Sequence, residues 1–378
     1  MVVPRGRTRN VQATVRVRNP RLWQPGDPEL YHVRVNAFLG GRKASEYDTD
    51  MGIRSIRVDR HGHMLLNGHP VELRGASMHE DSPDNGMALT PDQIRANVGL
   101  LQQLGATVTR AHYPLHPLTL ELCDRLGILV WEQSPFNRER FGNTSGALTS
   151  LDDSVVRSRA VRSRALNYVR AMIRRDQNHP SVFAWSVANE PSPRPSGSEV
   201  DYFNRAIRLV HGMDPTRLAA LDLAGYPSMP QSDTYSQFDA VGLNSYFGWY
   251  PGPSGELDDR SGLQPFLNEM HDYFPHSALF ITEFGAEANR TGPVDEKGTY
   301  SFQQNLLDYH LDAYDADPYI NGAIVWILKD FRVQPGWDGG NPKPSPPVLT
   351  KGLVSETGAR KPAFADLARR FRDTPPLR

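Results

Sequence analysis

Residues 182–190 read VFAWSVANE, an apolar run closed by Asn189 and Glu190, and a helical pattern follows at 198–213. A run of this kind fits a strand buried on both faces, as in a parallel sheet covered by helices. Working outward towards the N-terminus, the same unit recurs. ILVWEQ (128–133) precedes a helical pattern at 153–175, TVTRAH (107–112) one at 117–126, and VELRGASMH (71–79) one at 91–104. Downstream, RLAALDL (217–223) has no clear helix behind it. AVGLNSY (240–246) leads to 262–273, LFITEFG (279–285) to 299–316, and AIVWILKD (323–330) to 360–372. Eight strand-then-helix units predict an α/β fold, a closed (β/α)8 barrel over residues 63–378, rather than an open sheet.

The first 62 residues follow another rhythm. VQATVRV (11–17) and YHVRVNAF (31–38) alternate apolar with polar residues, as half-buried antiparallel strands do, and GIRSIRV (52–58) adds a further strand. An immunoglobulin-like sandwich needs about seven strands. The segment is therefore expected to be a partial, truncated immunoglobulin-like module, and a homo-oligomer is one way to cover its edges.

Bulk properties narrow the function. Lys and Arg (42) nearly balance Asp and Glu (43), so no global field draws nucleic acid or an anionic membrane. A single cysteine, Cys123, excludes an intramolecular disulfide. No apolar run reaches the roughly 18 residues of a membrane helix, and MVVPRGRTRN lacks a signal core, so a cytoplasmic location is expected.

A barrel carries its chemistry at the C-terminal ends of its strands. Those ends bear His79, His112, Glu132, Asn189 with Glu190, Asp222, Asn244 with Tyr246, Glu283 and Trp326. Glu190 and Glu283 close the fourth and seventh apolar strands, across the barrel from one another; a retaining glycosidase needs two carboxyl groups about 5–5.5 Å apart, one to attack and one to protonate. Amides and imidazoles suit sugar hydroxyls, and an aromatic ring suits a C–H face. Glu132 and Asp222 read as structural or supporting groups. Gly285, just past Glu283, is expected to relieve backbone crowding.

With these motifs in place, residues 52–373 resemble glycoside hydrolase family 2, most closely its β-glucuronidases, which are related to the β-galactosidases. The resemblance rests on NGHPVELRGASMHED (67–81), RAHYP (110–114), RRDQNHPSVFAWSVANEP (174–191), LNSYFGWY (243–250), ITEFGAE (281–287) and KGLVSETGARKPA (351–363). NPRLWQPGDPELYHVRV (19–35) is similar to the end of the immunoglobulin-like domain that precedes the barrel. The resemblance implies a retaining exo-β-glycosidase acting on a terminal β-linked sugar, with Glu190 as acid/base and Glu283 as nucleophile. It further implies Asn189 on the sugar 2-hydroxyl, Tyr246 as donor to the nucleophile, His79 and His112 lining the pocket, and Trp326 as platform. Asn244 and Tyr250 fit the β-glucuronidases better. Lys351 is the candidate reader of a sugar carboxylate, with Asn341-Pro342-Lys343 as the alternative and Leu349 where the family has Asn.

The family commonly spaces Arg-x-x-His on its second strand, whereas Arg110-Ala111-His112 is one residue shorter. A one-residue change reverses facing unless a bulge compensates, so Arg110 is not counted among the site residues. No cofactor and no metal are expected. His61-Gly62-His63 has metal-pair spacing but precedes the first barrel strand. The competing readings are a neutral-sugar β-glycosidase and a non-catalytic carbohydrate-binding or scaffold protein.

Overall fold

A computed structural model describes residues 6–136, 156–224, 227–251, 259–334, 336–337 and 339–378. Eight parallel strands close into a barrel. They are β1 (Leu73–Ala76), β2 (Val108–Arg110), β3 (Leu129–Gln133), β4 (Val182–Asn189), β5 (Leu218–Leu223), β6 (Ala240–Asn244), β7 (Ala278–Glu283) and β8 (Ile320–Val325). The eight segments expected from apolar periodicity are all present, and β8 pairs with β1 to close the ring. Among the described residues seven α-helices pack outside: α1 (Pro91–Leu104), α2 (Pro117–Leu126), α3 (Arg159–Asp176), α4 (Gly197–Met213), α5 (Leu263–Tyr273), α6 (Tyr300–Ala316) and α7 (Pro362–Asp373). Residues 153–155 of the expected third helix lie outside the described residues. Behind β5 the described residues hold only a short 3-10 turn, Tyr235–Gln237, in keeping with the weak helical signal there.

Strand β4 is buried at every position, and so are β3, β5, β6, β7 and β8. One set of side chains fills the barrel interior: Leu73, Val108, Trp131, Phe183, Phe280 and Ile324. The other packs between strands and helices, with Val130, Trp185, Leu221 and Ile281 meeting Ile173, Phe203 and Phe266. Helix starts carry their own signals. Thr90 and Ser196 each form a reciprocal capping box, with Gln93 and Glu199.

The N-terminal segment departs from expectation. Residues 11–17 form no strand and are exposed throughout. The segment at 31–38 does form a strand, Tyr31–Leu39, but its partner is Arg42–Met51, a polar stretch (RKASEYDTDM) without an apolar run to betray it. One face of this hairpin is polar, with Arg34 paired to Asp48; the other presents Val35 and Tyr47, both exposed. Its base is anchored to the barrel. Trp23 is fully buried and donates its indole N–H to the Asp124 carbonyl at 2.7 Å. Arg54 donates to the carbonyls of Pro180 and Val182. Among the described residues no helix is long and apolar enough to cross a membrane.

Candidate active site

The strand ends bring the candidate residues to one mouth. Glu283, the last residue of β7, is 5% exposed. Its Oε2 accepts from the Tyr246 hydroxyl at 2.7 Å, and its Oε1 accepts from Arg110 Nη1 at 2.8 Å. Burial pushes the Glu283 carboxyl up to about 7, and nearby Glu190 adds to that. Arg110 and the Tyr246 hydroxyl pull the other way, because both favour the ionised form. Burial, reinforced by Glu283, raises the Tyr246 phenol well above its ordinary value, which keeps it a donor.

Glu190 follows β4 with φ 51, in the left-handed region that a residue with a Cβ seldom adopts. Its backbone N–H donates to the Asp222 carbonyl at 2.7 Å, so β5 fixes this turn. The half-buried carboxylate accepts from Asn244 Nδ2 at 2.9 Å. A continuous path joins the two carboxylates. Arg110 Nη2 donates to Asn189 Oδ1 at 2.7 Å, and Asn244 Nδ2 donates to the same oxygen at 3.1 Å. Thr282 donates to Asn244 Oδ1 at 3.0 Å, which fixes which way that amide points.

Arg110 is the residue that sequence spacing set aside, and it lies at the centre. Fully buried, it contacts Glu283, Asn189 and Gln133 Oε1, and its Nε lies 3.2 Å from Asp222. Arg110 and His112 are two apart, and on an extended chain such residues share a face. The shorter spacing therefore aims both at Glu283: His112 Nε2 sits 3.4 Å from Glu283 Oε1. Gln133 Oε1 accepts from Arg110, so its amide nitrogen donates to His112 Nδ1 at 3.3 Å. That leaves the ring proton on Nε2, facing Glu283. Burial and Arg110 hold His112 well below its ordinary value, hence neutral.

On one flank His112 packs 4.5 Å from Trp326, which is 6% exposed and follows β8. His79 meets Trp326 edge-on and stacks on Phe331 at 4.2 Å; burial lowers it to about 4, so it too is neutral. Gly285 behaves as expected: a Cβ there would lie 2.6 Å from the Trp326 carbonyl oxygen. On the other flank Tyr250 meets Tyr246 edge-on, and Lys351 Nζ donates to the Tyr250 hydroxyl at 2.8 Å while lying 4.0 Å from the Tyr246 ring centre. The alternative segment is engaged elsewhere. Lys343 is exposed and paired with Glu296, and Asn341 Oδ1 accepts from Arg290 and from the Lys343 backbone.

Glu132 and Asp222 support rather than line the mouth. Glu132 alternates with Gln133 and turns outward to the Leu115 N–H and Arg175. Asp222 accepts from Ser186 and Trp131 beneath Arg110. Among the described residues no group of three His, Cys, Asp or Glu side chains could hold a metal ion.

Fold and site together define a (β/α)8-barrel protein with a paired-carboxylate centre at the C-terminal mouth of the barrel. The chain belongs to glycosyl hydrolases family 2: the family's TIM barrel domain matches residues 56–340, and a second domain of the family matches residues 2–54. It is 30% identical over 321 residues to a β-glucuronidase of Streptococcus agalactiae, covering 82% of this chain and 52% of that protein. To mouse β-glucuronidase it is 29% identical, covering 85% and 48%. Among solved structures it is similar to the β-glucuronidase of Bifidobacterium dentium complexed with coumarin-3-O-glucuronide, with 28% identity and a TM-score of 0.82, covering 96% of this chain and 56% of that one. The β-galacturonidase of Eisenbergiella tayi bound to galacturonate is similar at 25% identity and TM-score 0.82, covering 95% and 61%. The chain thus spans about half the length of the curated relatives it matches.

Proposed function

We propose that the barrel at 63–378 is the catalytic part of a retaining exo-β-glycosidase acting on a terminal β-glucuronide, preceded by a partial immunoglobulin-like module over 1–62. The observation that carries this reading is the hydrogen-bonded path Glu283–Arg110–Asn189–Asn244–Glu190, which couples two carboxylates in unlike surroundings at the C-terminal ends of β4 and β7. Glu190 protonates the glycosidic oxygen as Glu283 attacks the anomeric carbon and the leaving group departs. Water then cleaves the glycosyl-enzyme ester, with Glu190 taking its proton. Asn189 holds the 2-hydroxyl, where a hydrogen bond strengthens as positive charge develops on the ring. Asn244 orients Glu190, Tyr246 orients Glu283, His79 and His112 line the sugar pocket, and Trp326 forms its platform. Lys351, set by Tyr250, meets the sugar carboxylate. The similar structures with bound galacturonate and a bound glucuronide support an anionic sugar. No cofactor is invoked in any step.

The test is turnover of nitrophenyl β-glucuronide, β-galactoside and β-glucoside by this chain. Selective glucuronide turnover is expected. Turnover of a neutral sugar keeps the mechanism and overturns the substrate. Silence on all three from folded protein favours a binding role.

A further inference from the structure

Lys351 is a buried cation in an unusual setting. It is 2% exposed, and among the described residues no carboxylate lies within the 4.0 Å of an ion pair. Its contacts are the Tyr250 hydroxyl and the faces of Tyr246 and Tyr250, at 4.0 and 4.4 Å. Cation–π contacts offset only part of the loss of water around a buried ammonium. Beyond the next residue lies an equally unusual anion. Glu287, two residues past Gly285, is 1% exposed and has no cationic partner among the described residues. Its Oε2 accepts from the Thr350 N–H at 3.2 Å and the Thr350 hydroxyl at 2.8 Å, while its buried Oε1 has no hydrogen-bond partner. A Cβ on Gly339 would fall 1.8 Å from that oxygen, so a larger residue there would have to displace the carboxylate over which the loop after β8 closes. Two opposite buried charges, neither neutralised directly, are thus held one residue apart by Thr350.

We infer that Glu287 is a positioning residue for substrate specificity: it clamps Thr350 and holds the Lys351 ammonium charged without occupying it, so that its remaining donors serve an anionic sugar carboxylate. This deepens the glucuronide reading and rests on it. Direct pairing would satisfy Lys351 and leave the substrate to compete for it, whereas a carboxylate behind Thr350 supplies field without contact. The charged and titratable groups facing Lys351 are Glu287, Glu283, Glu190, Lys297, Tyr246 and Tyr250. Burial draws the ammonium down to about 7; Glu287 leads the carboxylates that oppose this, and Lys297 adds to the lowering. The cation is therefore present below that pH and lost as pH rises through it.

The experiment is the pH profile of one ratio, kcat/KM for nitrophenyl β-glucuronide over kcat/KM for nitrophenyl β-glucoside, in which the titrations of Glu190 and Glu283 cancel. In the wild type the ratio falls as pH rises through about 7. Glu287→Gln lowers the neutral-pH ratio roughly fivefold, approaching tenfold at higher pH, and moves its fall to lower pH, the effect of about one pH unit in Lys351. Glu287→Asp, which keeps the charge, restores much of it. Equal losses on both sugars with an unmoved profile would make Glu287 merely structural and overturn the inference. If Glu287→Gln does not accumulate folded, Lys351→Arg carries the test, because a guanidinium stays charged and the fall in the ratio should vanish. A fall that persists in Lys351→Arg overturns the inference. If the wild type turns over glucoside but no glucuronide, the substrate reading itself fails and this inference fails with it. A glucuronide preference that Glu287→Gln leaves intact sinks the inference alone.

Discussion

The ends of β4 and β7 carry the same side chain in opposite settings. Glu283 completes its strand, is 5% exposed, and receives Tyr246 on one oxygen and Arg110 on the other. Glu190 lies just past its strand in a left-handed turn, is half-buried, and receives the Asn244 amide. A carboxylate with both oxygens held by strong donors is fixed in place, as attack on carbon requires. One on a turn, open to water, can exchange a proton with the leaving group and then with the incoming water. In the proposed mechanism the difference in surroundings, more than the identity of the residues, divides the two roles.

The sharpest way to break this comparison is to remove each carboxylate in turn. Glu283→Gln should cost roughly 10⁵–10⁶-fold in kcat, the scale of a deleted covalent nucleophile. Glu190→Gln should cost roughly 10²–10⁴-fold on a poor leaving group, the usual worth of acid/base catalysis, and much less for the glycosylation step on a dinitrophenyl glycoside. Single-turnover measurements on the two aglycones separate the cases. If Glu190→Gln were the more damaging variant on the activated substrate, the assignment would have to be reversed. Azide provides the stereochemical check: Glu190→Gly should yield the β-glycosyl azide and Glu283→Gly the α-azide.

A smaller effect should come from the cation between them. Arg110→Lys keeps a charge but loses the planar fork that reaches Glu283, Gln133 and Asn189 together. A loss of roughly 10²-fold in kcat is expected, comparable to removing one preorganised donor. The decisive reading is kcat against Tm. A fall in Tm at unchanged kcat would reduce Arg110 to a structural ion.

Arg110 also marks where the sequence stops being readable. The barrel could be read because each strand is an apolar run closed by a polar residue, and Glu190 and Glu283 stand out at those ends. Facing within a strand is harder, since it turns on a single residue of register. The Arg110-Ala111-His112 spacing looked like a departure, yet a separation of two already places both side chains inward. The Arg42–Met51 strand escaped for another reason: it pairs through its backbone, and its alternation is nearly all polar. Glu287 has no strand-end signal at all, and only the fold brings it beside Thr350.

The mildest test concerns protonation. Nucleophilic attack needs Glu283 ionised, and burial raises its carboxyl to about 7 against the pull of Arg110 and Tyr246. On nitrophenyl β-glucoside, where the charge of Lys351 does not enter, kcat/KM of the free enzyme should therefore rise with pH through about 7 and fall roughly tenfold per pH unit on the acid side. Tyr246→Phe deletes a hydrogen bond that favours the anion, so the carboxyl should rise further and the acid limb should move to higher pH. The loss should then be greatest near pH 6 and smallest on the alkaline side. Uniform loss across the profile would mean that Tyr246 orients Glu283 without tuning it. A limb that instead followed Glu190→Gln would place the titrating group at the end of β4. The two strand ends would then have to exchange the properties that distinguish them here.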